Sequence, residues 1–167
     1  MIEETDLRIY LGIAGSTITT PRPCVFVGVS RWRDFCSALC VSLKANELAG
    51  RLKRFATRVV IFARALPTDA SSQVLARQLT GSGTAQSANY HAARRGRSRA
   101  EFIAKIGVAA EEADETEHWL IVIRDAHIVS TTAGLKELDW LLDESRQLRA
   151  ILVASTRTAR ANHRHHQ

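Results

Sequence analysis

The residues with the clearest chemical potential follow a short apolar run in the second half of the chain. The run is Trp119–Ile123, and it is followed by Arg124, Asp125 and, two residues later, His127. An acid at the end of an apolar strand is a common candidate for catalysis, because the C-terminal ends of strands in open α/β sheets border the ligand crevice. Asp125 is therefore the candidate catalytic acid. The alternatives are a structural acid paired with Arg124 and, for His127, a hydrogen-bonded packing residue.

Two further groups of polar residues stand close behind apolar runs. Ser155 and Thr156 close the run 149–155. A second group, which follows the apolar run 58–63 and precedes an apolar helix pattern, consists of Pro67, Thr68, Asp69, Ser71 and Ser72. Because a turn between a strand and a helix can hold phosphate on its backbone N–H groups, this group is the candidate phosphate loop.

The elements that would position these residues follow from apolar spacing. The β-branched, continuous runs at 58–63, 119–123 and 149–155 predict three buried strands. Apolar residues three and four positions apart predict helices at 30–54, 71–79, 99–114 and 133–146. Residues 80–98 are rich in Gly, Ser, Thr and Arg and are expected to form mostly a loop. The alternation predicts an α/β fold with a three-layer parallel sheet flanked by helices.

The same order of elements resembles P-loop ATPases of the AAA+ and STAND type. LIVIRDAH (120–127) resembles their second nucleotide-binding motif, Walker B, and LLDESRQLRAILVAST (141–156) resembles the next helix and the sensor strand. RSRAEFIAKIGVA (97–109) is similar to the second core helix of bacterial AAA+ proteins associated with transposition or secretion. The resemblance covers about residues 25–156 and implies a P-loop NTPase-like sheet.

The resemblance assigns roles to particular positions. It places Asp125 at the acid that polarises the attacking water, and Ser155 and Thr156 at the sensor position. The weak apolar pattern of residues 1–24 predicts an N-terminal extension, and the basic composition of residues 157–167 predicts a disordered tail. The resemblance further implies an AAA+-like domain over 25–156 that is truncated after the sensor strand.

The residues that would hydrolyse ATP are missing from this pattern. The phosphate loop requires G-x-x-x-x-G-K-[ST], in which glycines let backbone N–H groups surround the phosphates and the Lys neutralises them. No Gly stands between Gly50 and Gly81, and Arg124 occupies the position of the acid that holds Mg²⁺. We therefore expect a pseudo-ATPase that binds ATP and Mg²⁺ weakly at most, with no cofactor and no metal site.

The charge of the chain points to an acidic partner. The formal net charge is +6 over 167 residues, and the excess is concentrated in the tail and in a cluster of Arg94, Arg95, Arg97 and Arg99. A basic cluster of this kind is the electrostatic feature expected of a nucleic-acid site, although a solvated loop is the alternative. The acidic N-terminus and the absence of a long apolar run predict a cytoplasmic protein without a membrane partner.

These observations leave three functional hypotheses. The first is a catalytically degenerate AAA+/STAND-like module that regulates a protein partner, such as an active AAA+ ATPase in a DNA-transaction machine. The second is a small basic protein that binds nucleic acid through the Arg94–Arg99 cluster and the tail. The third is an ATP-binding AAA+ protein with an atypical phosphate loop.

Overall fold

Four long α-helices account for nearly all of the chain that the computed structural model describes. The description covers residues 29–164, with side chains from residue 43 to residue 161. The helices are α1 (Val29–Arg64), α2 (Ala70–Ala93), α3 (Arg99–Asp125) and α4 (Thr132–Arg164). Their connections are short, at residues 65–69, 94–98 and 126–131. The predicted extension over 1–24 lies outside the described part.

Contacts divide the chain into residues 1–48 and residues 49–167. The described part of the first unit is the N-terminal portion of α1. In the second unit, consecutive helices run antiparallel and each contacts its sequence neighbour. α4 also returns to α1, where the Arg51 guanidinium donates to the Glu144 carboxylate at 2.6 and 2.8 Å and Arg58 pairs with Glu137. This arrangement is an up-down-up-down four-helix bundle.

The core of the bundle follows alternating spacings of three and four residues in every helix. On α2 the buried positions include Ser72, Ala76, Leu79, Gly83, Gln86, Tyr90 and Ala93. On α3 they include Ile106, Ala109, Ala113, Thr116, Leu120 and Ile123. On α4 they include Leu138, Leu141, Ser145, Leu148 and Leu152. This spacing places one residue per turn on the same side of the helix, which is the pattern that lets helices pack side by side.

The predicted α/β fold is wrong, because the part of the chain that the structure describes contains no strand. The apolar runs at 58–63, 119–123 and 149–155 lie inside α1, α3 and α4. The four predicted helices at 30–54, 71–79, 99–114 and 133–146 are confirmed as helix, and each is longer than its pattern suggested. Residues 80–93, predicted as loop, form the second half of α2.

The run 58–63 shows why a β-branched sequence is helical here. Val59 is completely buried and Phe62 is 5% exposed, whereas Ile61 between them is 61% exposed. Phe55, Val59 and Phe62 therefore continue one helical stripe through the run. The stabilisation of a buried stripe outweighs the weak preference of β-branched residues for strands.

Side-chain caps fix two of the helix starts. The Asp69 carboxylate accepts hydrogen bonds from the backbone N–H groups of Ser71 and Ser72, at 3.1 and 3.0 Å. Hydrogen bonding by the Ser72 hydroxyl, together with these backbone bonds, holds the pKa of Asp69 below its usual value. Ser98 accepts from the N–H of Glu101 at 3.1 Å and caps the start of α3. Such bonds satisfy backbone donors that a helix start leaves open.

Candidate nucleic-acid interface

The Arg94–Arg99 cluster forms the connection between α2 and α3 at one end of the bundle. The backbone of this connection is held by hydrogen bonds back to α2: the N–H of Arg94 donates to Tyr90 O at 3.1 Å, and the N–H of Gly96 donates to Ala93 O at 3.0 Å. All four arginines are exposed. Two rigid helices therefore present these cations on a short connection rather than on a long flexible loop.

Five arginines farther along the bundle are engaged with acids. The ion pairs are Arg51–Glu144, Arg58–Glu137, Arg124–Asp125, Arg146–Glu117, Arg149–Asp114 and Arg149–Glu117. Arg58 also lies over the Trp140 ring, 3.4 Å from its centroid, and its hydrogen bonds to Glu137 raise the pKa of its guanidinium. Within residues 43–161, no ion pair is formed by Arg95, Arg97 or Arg99. These three unpaired arginines stand within five residues of one another, whereas other unpaired arginines, such as Arg64 and Arg77, are spread over separate helices.

The last turns of α4 bring more cations to the same end. The Thr156 hydroxyl is buried and lies 3.3 Å from Ile106 O on α3, so the two helices are in register there. Because α3 and α4 are antiparallel, Arg157 and Arg160 lie beside the first turns of α3. This is the end of α3 that carries Arg99 and Lys105. At about 1.5 Å per residue, Arg160 stands about 6 Å beyond Thr156 toward this end. We call the exposed cations Arg95, Arg97, Arg99, Lys105, Arg157 and Arg160 the basic end.

A groove between α3 and α4 opens next to the basic end. Its volume is about 430 Å³. Gly107 and Ala110 of α3 and Val153 of α4 form its apolar surface, and Val153 is half exposed.

Charged side chains line the rest of this groove. Arg157 and Arg160 stand on α4, while Glu111 and Asp114 stand on α3. Asp114 is shared with Arg149, whose Nη1 lies 3.1 Å from the Asp114 carboxylate. The groove is thus cationic toward the basic end and anionic farther along the bundle.

The residues predicted for nucleotide hydrolysis do not come together. Asp125 is the last residue of α3, where it is exposed and pairs with Arg124 at 2.8 Å. Ser155 and Thr156 lie within α4 rather than at the end of a sensor strand, and Thr156 donates to Leu152 O at 2.9 Å. α4 runs antiparallel to α3, so these hydroxyls lie near the opposite end of the bundle from Asp125.

The predicted phosphate loop has a different structural role. Pro67, Thr68, Asp69, Ser71 and Ser72 form the turn between α1 and α2 and the first turn of α2. Asp69 occupies the N-terminal backbone donors of α2 that a phosphate loop would offer to its ligand. Ser72 is buried in the bundle. The segment is a capped helix connection.

The segment that resembled a Walker B motif is a helix end. His127 has φ of 52°, its N–H donates to Arg124 O at 3.0 Å, and the N–H of Ile128 donates to Ile123 O at 3.2 Å. These two bonds define a Schellman motif, in which the residue after the cap takes a left-handed conformation and Gly is the usual choice.

Replacing His127 by Gly should therefore stabilise the protein. A side chain in the left-handed region is strained, and Gly is not, so we expect His127→Gly to raise the free energy of unfolding by about 0.5–1 kcal/mol. Urea denaturation would measure the change. His127→Ala is the control, because alanine keeps the strained Cβ and should give no gain. Equal stabilisation by both variants would contradict this account of the helix end.

Comparisons with known proteins agree with the helical fold. The family model of the 23S rRNA-intervening sequence proteins matches residues 44–154, about two thirds of the chain. This chain belongs to that family. Its match spans the end of α1, all of α2 and α3, and most of α4, so it includes the Arg94–Arg99 connection and the anionic part of the groove. A search of the curated proteins found no match.

A solved structure from Bacteroides thetaiotaomicron, a protein of unknown function from the S23 ribosomal protein family, is similar to this chain. The TM-score is 0.60 at 27% sequence identity, and the match covers 68% of this chain and 98% of that chain.

The family membership overturns the resemblance to AAA+ and STAND ATPases. The chain is neither a degenerate P-loop NTPase nor a module truncated after a sensor strand, because the family is a different one and the described residues have no parallel sheet. The functional hypotheses and descriptions built on that resemblance, a pseudo-ATPase regulator and an ATP-binding AAA+ protein, are therefore wrong. The absence of a cofactor stays a prediction.

Sequence reasoning found the Arg94–Arg99 cluster but missed the rest of the site. Arg157 and Arg160 had been assigned to a separate tail, whereas α4 continues through them to Arg164. The four-residue spacing of Leu148, Leu152 and Thr156 is the signal that could have extended the helix. Gly107 and Glu111 belong to no sequence motif. Only the packing of α3 against α4 places them at a groove.

Among the described residues, no helix combines the length and the apolar character needed to cross a membrane.

Proposed function

We propose that this protein binds the phosphate backbone of structured RNA through its basic end. The observation that carries the proposal is a cluster of unpaired cations at one end of the bundle. Arg95, Arg97 and Arg99 form no ion pair within residues 43–161, and Arg157 and Arg160 stand at the same end, whereas the arginines in the middle of the bundle, such as Arg51, Arg146 and Arg149, are paired with acids.

The chemistry of these groups suits phosphate. Guanidinium groups donate in a planar fork that matches phosphate oxygens, and their charge does not depend on pH in the physiological range. Unpaired cations on a rigid connection can approach successive phosphates without first breaking internal ion pairs. The ends of α2 and α3 fix the spacing of these cations, so the surface suits the regularly spaced phosphates of an RNA helix.

The family points to RNA as the nucleic acid. Its description names an intervening sequence of 23S rRNA. Aromatic side chains that would stack on successive bases are scarce around the basic end, so the backbone and the shape of the helix supply most of the affinity.

Neutralising the arginine cluster tests this function. The triple variant Arg95→Ala, Arg97→Ala and Arg99→Ala should weaken binding to a duplex RNA and reduce the slope of log K against log salt. Each lost phosphate contact reduces that slope by a little under 1, about 0.9 for duplex DNA, because one fewer counterion is released on binding. Fluorescence anisotropy at several salt concentrations would measure both quantities.

A charge-matched variant separates a defined site from general attraction. Arg64, Arg77 and Lys136 are exposed on α1, α2 and α4, in the halves of these helices away from the basic end. Their triple replacement by Ala removes the same net charge and should leave the slope nearly unchanged. Equal losses from the two triple variants would refute a localised interface, and no binding by the wild-type protein would refute the function.

A further inference from the structure

The groove between α3 and α4 has the size and surface of a small-ligand site. Its volume of about 430 Å³ lies in the range of pockets that hold small molecules. Gly107, Ala110 and Val153 provide an apolar surface against which a flat ring can lie. The groove opens beside the basic end, so a ligand in it could belong to the same RNA.

The charges in this groove match the polarity of one nucleotide. Arg157 and Arg160 stand toward the basic end, where phosphates would lie. Glu111 is four residues beyond Gly107 on α3, about 6 Å farther from that end. A nucleotide has the same arrangement, with an anionic phosphate at one end and hydrogen-bond donors on the edge of its base at the other.

The carboxylate of Glu111 selects among the bases. An ionised carboxylate only accepts hydrogen bonds and offers two oxygens side by side. Glu111 is exposed and has no hydrogen-bond donor among the side chains that the structure describes. Guanine presents two adjacent donors, N1–H and the N2 amino group, on its Watson–Crick edge. Adenine, cytosine and uracil each present one donor group there.

Gly107 indicates that something approaches this face of α3 closely. Glycine inside a helix costs stability relative to alanine, so it is usually kept for a packing or ligand reason. At Gly107 a Cβ would meet only the terminal Nη2 of Arg160, at an ordinary 3.6 Å. Packing within the bundle therefore does not require this glycine, whereas a ring lying on the groove would.

We infer that the groove receives one unpaired guanine nucleotide of the bound RNA, with its base edge on Glu111 and its phosphate at Arg157 and Arg160. This inference rests on the proposed function. Unpaired bases in loops and bulges are the features through which proteins read RNA sequence, because their Watson–Crick edges are free.

The decisive experiment compares two hairpin RNAs with the same stem and a single loop nucleotide changed from guanine to adenine. The wild-type protein should bind the guanine-loop RNA about tenfold more tightly, a usual discrimination for a bidentate contact. Glu111→Gln should reduce this ratio to near 1 and leave the salt slope unchanged. Glu115→Gln, the same charge change on α3 outside the groove lining, should preserve the ratio.

Gly107→Ala provides a second test, which distinguishes a ligand-binding role of Gly107 from a structural one. The added methyl should weaken binding of the guanine-loop RNA severalfold, while the thermal midpoint of the protein stays equal or rises, because alanine favours helix. A fall in the thermal midpoint with an unchanged guanine preference would show that Gly107 serves the fold and would overturn its role here.

The remaining outcomes separate this inference from the function on which it rests. Equal wild-type affinity for the two hairpins, with a steep salt slope, overturns the guanine site and leaves backbone binding intact. No binding to either hairpin overturns both. Guanosine monophosphate alone, titrated in a calorimeter, tests a free nucleotide: an affinity equal to that of the guanine-loop RNA would overturn the assignment to RNA.

Discussion

Leu120→Ala should lower the free energy of unfolding by about 2–5 kcal/mol. The Leu120 side chain is completely buried on α3, within the stripe that includes Thr116 and Ile123. Truncation removes apolar contacts and leaves a cavity that a close-packed bundle refills only in part. Urea denaturation followed by circular dichroism would measure the loss.

The matched control for this substitution is Ile121→Ala. Ile121 belongs to the same apolar run but is partly exposed on the helix. We expect it to cost clearly less than Leu120→Ala, on the order of 1 kcal/mol, because less surface returns to water. A strand buried on both faces would make the two costs similar, so equal losses would argue against the helix.

Gly83→Ala should destabilise the protein by about 1–3 kcal/mol, although alanine is the better helix former. A Cβ at Gly83 of α2 would lie 2.7 Å from Cγ1 of Val59 on α1, and β-branched valine has little freedom to move away. The two helices would have to separate, and overpacking of a core has a cost in this range. Denaturant midpoints and slopes would give the change.

The same helix contains its own control. Gly81, two residues earlier, has nothing within 4 Å of the position a Cβ would take, so Gly81→Ala should stabilise the protein by about 1 kcal/mol. A double variant with Val59→Ala should recover part of the loss at Gly83, since the smaller side chain makes room. Stabilisation by Gly83→Ala itself would contradict the close approach of α1 and α2.

The local features of this fold could be predicted from the sequence. Ser98 and Glu101 mark the start of α3, and the spacing of apolar residues locates part of each helix. The basic cluster was also recognisable, because four arginines within six residues need no tertiary information to be identified. These patterns depend on residues a few positions apart, so they can be recognised without knowing which helices pack against each other.

The choice between strand and helix for the β-branched runs was not a local property. A short apolar run suits a buried strand or a buried helix equally well, and the length of the surrounding stripe is what separates the two. In α2 the stripe itself was obscured, since Ser72, Gly83 and Gln86 take core positions where apolar residues are expected. Gln86 is accommodated there because its Nε2 donates to Thr116 on α3, 3.3 Å away.

The net charge, the helix caps and the arginine connection follow from the order of the residues alone. The pairing of the arginines depends on the tertiary structure, since Arg51 and Arg58 meet acids 93 and 79 residues away. It also decided that the end of α4 lies beside the start of α3 and that a groove opens between them. The physical reason is that helix formation depends on neighbouring residues, whereas ion pairing and groove shape depend on which helix faces are brought together by burial of the core.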